Sequence, residues 1–180
     1  AAILLAAGVG DILYPLFYKT RPLPMLMIHG DQDRLVEYDG TSAQTYQRAD
    51  VPRVLVKLVG GTHMGHSNIR SIAFNFDNLP CWFAADKLKD DGTIHFQADL
   101  KNRTPDTGVG DFGAPAPCQY SVPSGWVMTA DRQKTLSNEI MLAFLDYALA
   151  DDPDEKKSAL LKTLESIDEA QSDVIIKSAL

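Results

Sequence analysis

Cationic side chains are in short supply in this chain: 17 Lys and Arg stand against 24 Asp and Glu, for a formal charge of −7 and a pI near 5.0. A nucleic-acid footprint or a patch for anionic membranes needs clustered Lys and Arg, so neither partner is expected. Long apolar runs are missing as well. A membrane-spanning helix needs roughly 18 or more consecutive apolar residues, and the longest run here, near the start, has only a strand's length. Cysteine is scarce, with Cys81 and Cys118 alone. Both fall in a stretch rich in Pro and Gly where a disulfide could staple a loop, the alternative being two unrelated thiols. A disulfide would favour a secreted or periplasmic location, and the sequence otherwise leaves localisation open. Residues 1–10 lack the basic region and the cleavage site of a secretory signal. No internal repeat or low-complexity tract is evident. What remains is 180 residues with 45% hydrophobic content, enough for one domain with its own core.

The apolar residues fall into strand-like and helix-like groups. Ala2-Ile3-Leu4-Leu5-Ala6-Ala7, ended by Gly8 and Gly10, suits a strand buried on both faces of a parallel sheet. Pro24-Met25-Leu26-Met27-Ile28-His29, closed by Gly30, reads as a second such strand, and Arg53 to Val59, stopped by Gly60-Gly61, as a third. Between them, residues 41 to 49 read as a helix with Thr41 as cap and Gln44 reaching back in a capping box. Residues 74 to 129 have no sustained period and hold most of the turn formers, which suggests a loop-rich insertion or lid. Two helices close the chain. One spans roughly 131 to 150 with Leu136, Ile140, Phe144 and Tyr147 on one face, and the next starts where Asp152 caps and Pro153 takes the first position. Apolar strands followed by helices indicate an α/β fold with a mostly parallel sheet flanked by helices.

Chemistry concentrates at two strand ends. Asp31 and Asp33 follow the second strand, and His63 and His66 follow the third. Ligands of open α/β sheets bind at the C-terminal ends of strands. Neighbouring strands lie about 4.8 Å apart, so short turns can bring an Asp and a His into hydrogen-bond contact. Such a contact fixes the histidine's tautomer and stabilises its imidazolium. Asp33 is therefore the candidate acid and His63 the candidate general base. The simpler readings are a carboxylate that caps its own turn and a hydrogen-bonded loop histidine, with His66 as competitor and Asp31 as loop stabiliser. A metal pair of His63 and His66 with an aspartate matches no recognised zinc spacing. The calcium-like run from Asp31 fails the EF-hand template, with Leu35 at its fifth position and Val36 where glycine is required.

These turns resemble those of the α/β-hydrolase superfamily. Gly30-Asp31-Gln32-Asp33 is similar to the family's acid turn, with Val36 where a valine commonly follows. Gly60-Gly61-Thr62-His63 resembles the histidine turn of dienelactone-hydrolase-like and polyester-hydrolase-like esterases. Ala143 to Leu149 is similar to the closing helix, and the likeness covers residues 1 to about 70 and 130 to 165. The resemblance implies the C-terminal part of a carboxylic ester hydrolase with Asp33 and His63 in a serine-type triad. It implies a small-molecule ester as substrate and no metal or organic cofactor.

One departure stands out. The family's nucleophile sits in a glycine-x-serine-x-glycine elbow ahead of the acid, yet no Ser or Cys occurs between Ala1 and Asp33. The expectation is an N-terminal half, cleaved or separate, that supplies the nucleophile and pairs with the edge of the first strand. Val36, Met64, Trp82 and Trp126 are candidates for a substrate pocket, although aromatics of an insertion more often form its own small core. A non-catalytic binding or assembly protein of this fold, a peptidase and a thioesterase are the alternatives.

Overall fold

The computed structural model describes residues 1–5, 23–33, 36, 38–66 and 127–180. Its centre is a pair of strands whose side chains are sorted by the two-residue period of extended backbone. In β2 (Met25–Gly30) and β3 (Arg53–Leu58), Leu26, Ile28, Val54, Val56 and Leu58 enter one core, while Met25, Met27 and Leu55 enter another. A strand with apolar residues at both parities has to be covered on both faces. This one is: every residue of β2 is buried.

The first face is covered by α2 (Ala130–Ala148) and α3 (Pro153–Ala170). The expected stripe of Leu136, Ile140, Phe144 and Tyr147 is buried there, joined by Leu160, Leu164 and Ile167 of α3. Asp152 caps α3 as its sequence indicates, accepting from the Asp154 and Glu155 amides at 3.1 and 3.3 Å, with Pro153 in the first turn. On the opposite face, Ala49, Val51, Tyr38 and Tyr46 from the segment around α1 (Gln44–Arg48) pack against Met25, Met27 and Leu55.

The sheet has the order β1-β2-β3-β4, where β1 is Ala2–Leu5 and β4 is Val174–Ala179. The first three strands are parallel and β4 runs antiparallel to β3, placing Val174 opposite Leu58. Register sets where the chain leaves the sheet. His29 pairs with Lys57 and Gly30 with Leu58, so β2 and β3 end level and their outgoing turns lie side by side.

Besides β1, expected to be buried on both faces but half-buried from Ala2 to Leu4 with Leu5 exposed, the fold departs from the sequence expectation at two places. Thr41 is not a helix cap: the chain enters through a π-helical turn (Asp39–Ala43) in which the Tyr38 carbonyl accepts from the amides of Thr41 and Ala43. Gln44 forms no capping box, and its Oε1 is buried without a partner among the described residues. The wider turn wins because it carries Ser42 into the interior, where its hydroxyl is bonded. The second departure is β4, which was not expected. Its short Val-Ile-Ile run trails a helix, and it is held by Arg132 of α2, which donates to both Asp173 carboxylate oxygens at 3.2 Å.

Of the expected insertion at 74 to 129, all but the last three residues lie outside the described residues, as do Cys81 and Cys118. Among the described residues no helix is long and apolar enough to cross a membrane.

Candidate active site

The two turns at the level ends of β2 and β3 are fitted together through glycine. A Cβ on Gly30 would fall on the Gly61 backbone, and one on Gly61 would lie 2.9 Å from the Leu58 Cβ. Only hydrogen at both positions permits that approach. Gly60 has φ of 76°, a left-handed conformation that glycine adopts without strain. The Gln32 amide donates to the Gly61 carbonyl at 2.9 Å and the Asp31 amide to the Leu58 carbonyl at 3.1 Å, stitching one turn to the other. Asp31 stabilises the loop, accepting from the Gly60 amide at 2.7 Å with Lys57 Nζ 3.8 Å away.

Asp33 lies between the two turns with its carboxylate buried. Its Oδ1 accepts from the Val36 amide at 2.8 Å. Its Oδ2 is 2.9 Å from His63 Nδ1 and 3.2 Å from His29 Nε2. Burial pushes this carboxyl upward, but hydrogen bonds from His29, His63 and the Val36 amide, with the charge on His63, outweigh it. The result is a fall from 3.8 to about 2. Asp33 is therefore ionised throughout the neutral range.

His63 lies at the rim, its side chain 31% exposed. With Nδ1–H donated to Asp33, the lone pair of a neutral ring resides on Nε2, the nitrogen then able to take a proton. His66 differs: its Nε2 is buried with no partner among the described residues. Burial first, then the nearby histidines His29 and His63, lower its pKa from 6.5 to about 4, against the opposing pull of Asp33. The expected acid–histidine pair is thus Asp33 with His63.

Two participants were not singled out from the sequence. His29, fully buried at the end of β2, bonds Ser42 Oγ through Nδ1 at 2.6 Å and the Val36 carbonyl through Nε2 at 2.9 Å. The signal was present, since a histidine ending a wholly apolar strand must find partners for both nitrogens. Ser42, His29 and Asp33 even follow the order of a relay. Ser42 is only 2% exposed, however, which leaves no room for an acyl group on its oxygen.

Gln133 of α2 is the second. Its Oε1 accepts from the Thr62 amide at 3.0 Å and its Nε2 donates to the Thr62 carbonyl at 2.8 Å, so the helix clamps the residue preceding His63. Gln133 lies three positions before Leu136 on the buried stripe, and a polar residue on such a stripe is the cue.

Of the pocket candidates, Val36 contributes its backbone to the acid, and Met64, half-buried, opens the 3₁₀ turn after His63. Trp82 and Trp126 lie outside the described residues. A groove of about 590 Å³ along α2 and the start of α3, lined by Leu142, Leu149, Asp152 and Lys156 among others, shares no residue with the two turns. Among the described residues no group of three or more His, Cys, Asp or Glu is arranged to hold a metal. No protein-family model, curated protein or solved structure matches this chain.

Proposed function

We propose that this chain is the acid- and base-bearing part of an α/β-hydrolase acting as a serine-type carboxylic ester hydrolase. The observation that carries the reading is the 2.9 Å contact between Asp33 Oδ2 and His63 Nδ1, made by turns at the ends of adjacent parallel strands. That location and that order along the chain are what α/β-hydrolase chemistry requires. Asp33 orients His63 and compensates its charge. His63 Nε2 takes the proton of a serine hydroxyl as the oxygen attacks the ester carbonyl, then returns it to the departing alkoxide. Water attacks the acyl-enzyme by the same route, releasing the acid and regenerating the serine. No Ser or Cys precedes Asp33, so the serine and the oxyanion-hole amides are assigned to an N-terminal portion paired against β1.

The test uses the chain together with that portion. Hydrolysis of short p-nitrophenyl esters should fall by about 10⁴-fold in His63→Ala and in Asp33→Asn, with unchanged circular dichroism. A labelled fluorophosphonate should attach to a serine of the companion portion. Near-normal turnover in His63→Ala rejects the assignment. Absence of both ester turnover and labelling in the assembled protein would identify a non-catalytic assembly protein of this fold instead. Thioesters and peptides belong in the assay, because the acid–histidine pair is common to those hydrolases too.

A further inference from the structure

We infer that His29, locked in one tautomer by the Val36 carbonyl, is a positioning residue that holds the Asp33 carboxylate for His63. The inference rests on the acid–base reading of Asp33 and His63 only for its catalytic meaning; the network itself stands on geometry. A backbone carbonyl can only accept a hydrogen bond, so the 2.9 Å contact between Val36 O and His29 Nε2 requires the proton to be on Nε2. In a neutral ring Nδ1 is then the acceptor, and the contact 2.6 Å away is the Ser42 hydroxyl donating to it. The same Nε2–H faces Asp33 Oδ2 at 3.2 Å, the oxygen that His63 also contacts.

Each neighbour contributes differently. Val36 fixes the ends of the network, giving its amide to Asp33 Oδ1 and taking the His29 proton on its carbonyl. Tyr38 closes the side, its ring edge-on to His29 with centroids 5.7 Å apart. Among the described residues the other ionisable groups at the network are His63, on the same Asp33 oxygen, His66, coupled electrostatically to His29 and Asp33, and Lys57, whose ammonium lies over the Tyr38 ring. Without the His29 donor, Asp33 Oδ2 would be left in a buried site with one bond fewer, and a buried carboxylate with fewer donors is easier to protonate. The acid would then hold His63 less firmly and orient it less well. The hydrogen-bonded histidine at the end of an apolar strand thus keeps the acid charged and aimed.

The decisive measurement is long-range ¹H–¹⁵N NMR of the histidine rings at neutral pH, without substrate, in the unmodified chain, or in its complex with the N-terminal portion if the chain alone associates. His29 is expected as the Nε2–H tautomer with an acceptor-type Nδ1, and His63 as the Nδ1–H tautomer. A His29 found as the Nδ1–H tautomer overturns the proposal, and this readout needs no variant to fold. The Asp33 carboxyl ¹³C titration adds a second arm. Its midpoint should rise by about one unit in His29→Leu, roughly a tenfold change in acid dissociation. It should return most of the way in His29→Gln, whose amide N–H can donate to Oδ2. An unmoved Asp33 midpoint in a folded His29→Leu protein also overturns it. These measurements involve no ester, so failure of the esterase proposal would leave them standing, and their failure would leave the Asp33–His63 pair available for catalysis.

Discussion

Two histidines three residues apart behave oppositely because their surroundings differ. His63 is at the rim and bonded to a carboxylate; His66 turns inward, where burial and its histidine neighbours hold its pKa near 4. In the unfolded chain His66 titrates near 6.5, so between about pH 6.5 and pH 4 the unfolded state takes up a proton that the folded state refuses. Folding stability must therefore decline as pH falls through that window, by up to about 3 kcal/mol from this group. In His66→Leu, urea denaturation should show a flatter decline between pH 6.5 and 4; an unchanged decline would refute the assignment. Asp33 acts lower on the scale. Its pKa is depressed on folding, so its contribution of roughly 2 kcal/mol is present above about pH 4 and is lost as pH falls towards 2. Both residues were legible in the sequence as titratable groups at strand ends. The pairing of Asp33 with His63 was the sequence's own expectation, while the burial of His66 was not.

The histidine turn depends on a helix 71 residues away, through the two bonds from Gln133 to Thr62. Clamping a peptide unit from both sides fixes the direction in which the next residue leaves. Replacing Gln133 by Leu leaves a buried N–H and a buried carbonyl unpaired, at a cost of roughly 2–4 kcal/mol in all. Urea denaturation of Gln133→Leu should show that loss with an unchanged m-value, and the His63 ring resonances should broaden as the turn loosens. A loss under about 0.5 kcal/mol would show that the clamp is dispensable. The elements themselves were largely legible: β2, β3, the α2 stripe and the Asp152–Pro153 start of α3 follow from period and cap. The π-helical entry at Asp39–Ala43 and the β4 strand were not. Each is selected by a distant partner, His29 in one case and β3 with Arg132 in the other.

For the whole molecule, the sheet has unequal edges. On one side β4 ends in Lys177, Ser178 and Ala179, which are exposed and largely polar. On the other, β1 is an apolar strand with no further neighbour among the described residues, and Leu5 is 39% exposed there. An apolar edge is a template for another strand. The proposal that an N-terminal portion pairs with β1 predicts that the chain alone associates or binds thioflavin T, and that adding the portion yields a monodisperse complex. Hydrogen exchange at the Ala2–Leu5 amides should then slow by at least about tenfold, as expected for strand pairing. A folded, monodisperse monomer without any companion would defeat it.

By itself the sequence determined the local periods, the apolar strands closed by glycine, the capped helices and the α/β class, because each depends on neighbours within a few residues. It also placed an acid and a histidine at successive strand ends, which is a matter of order alone. The tertiary structure made the contact between Asp33 and the expected His63, turned His66 into the interior, set which nitrogen carries each proton, and brought in Ser42 and Gln133. Those choices depend on the level register of β2 with β3 and on contacts from 13 to 71 residues apart. No short-range pattern encodes them.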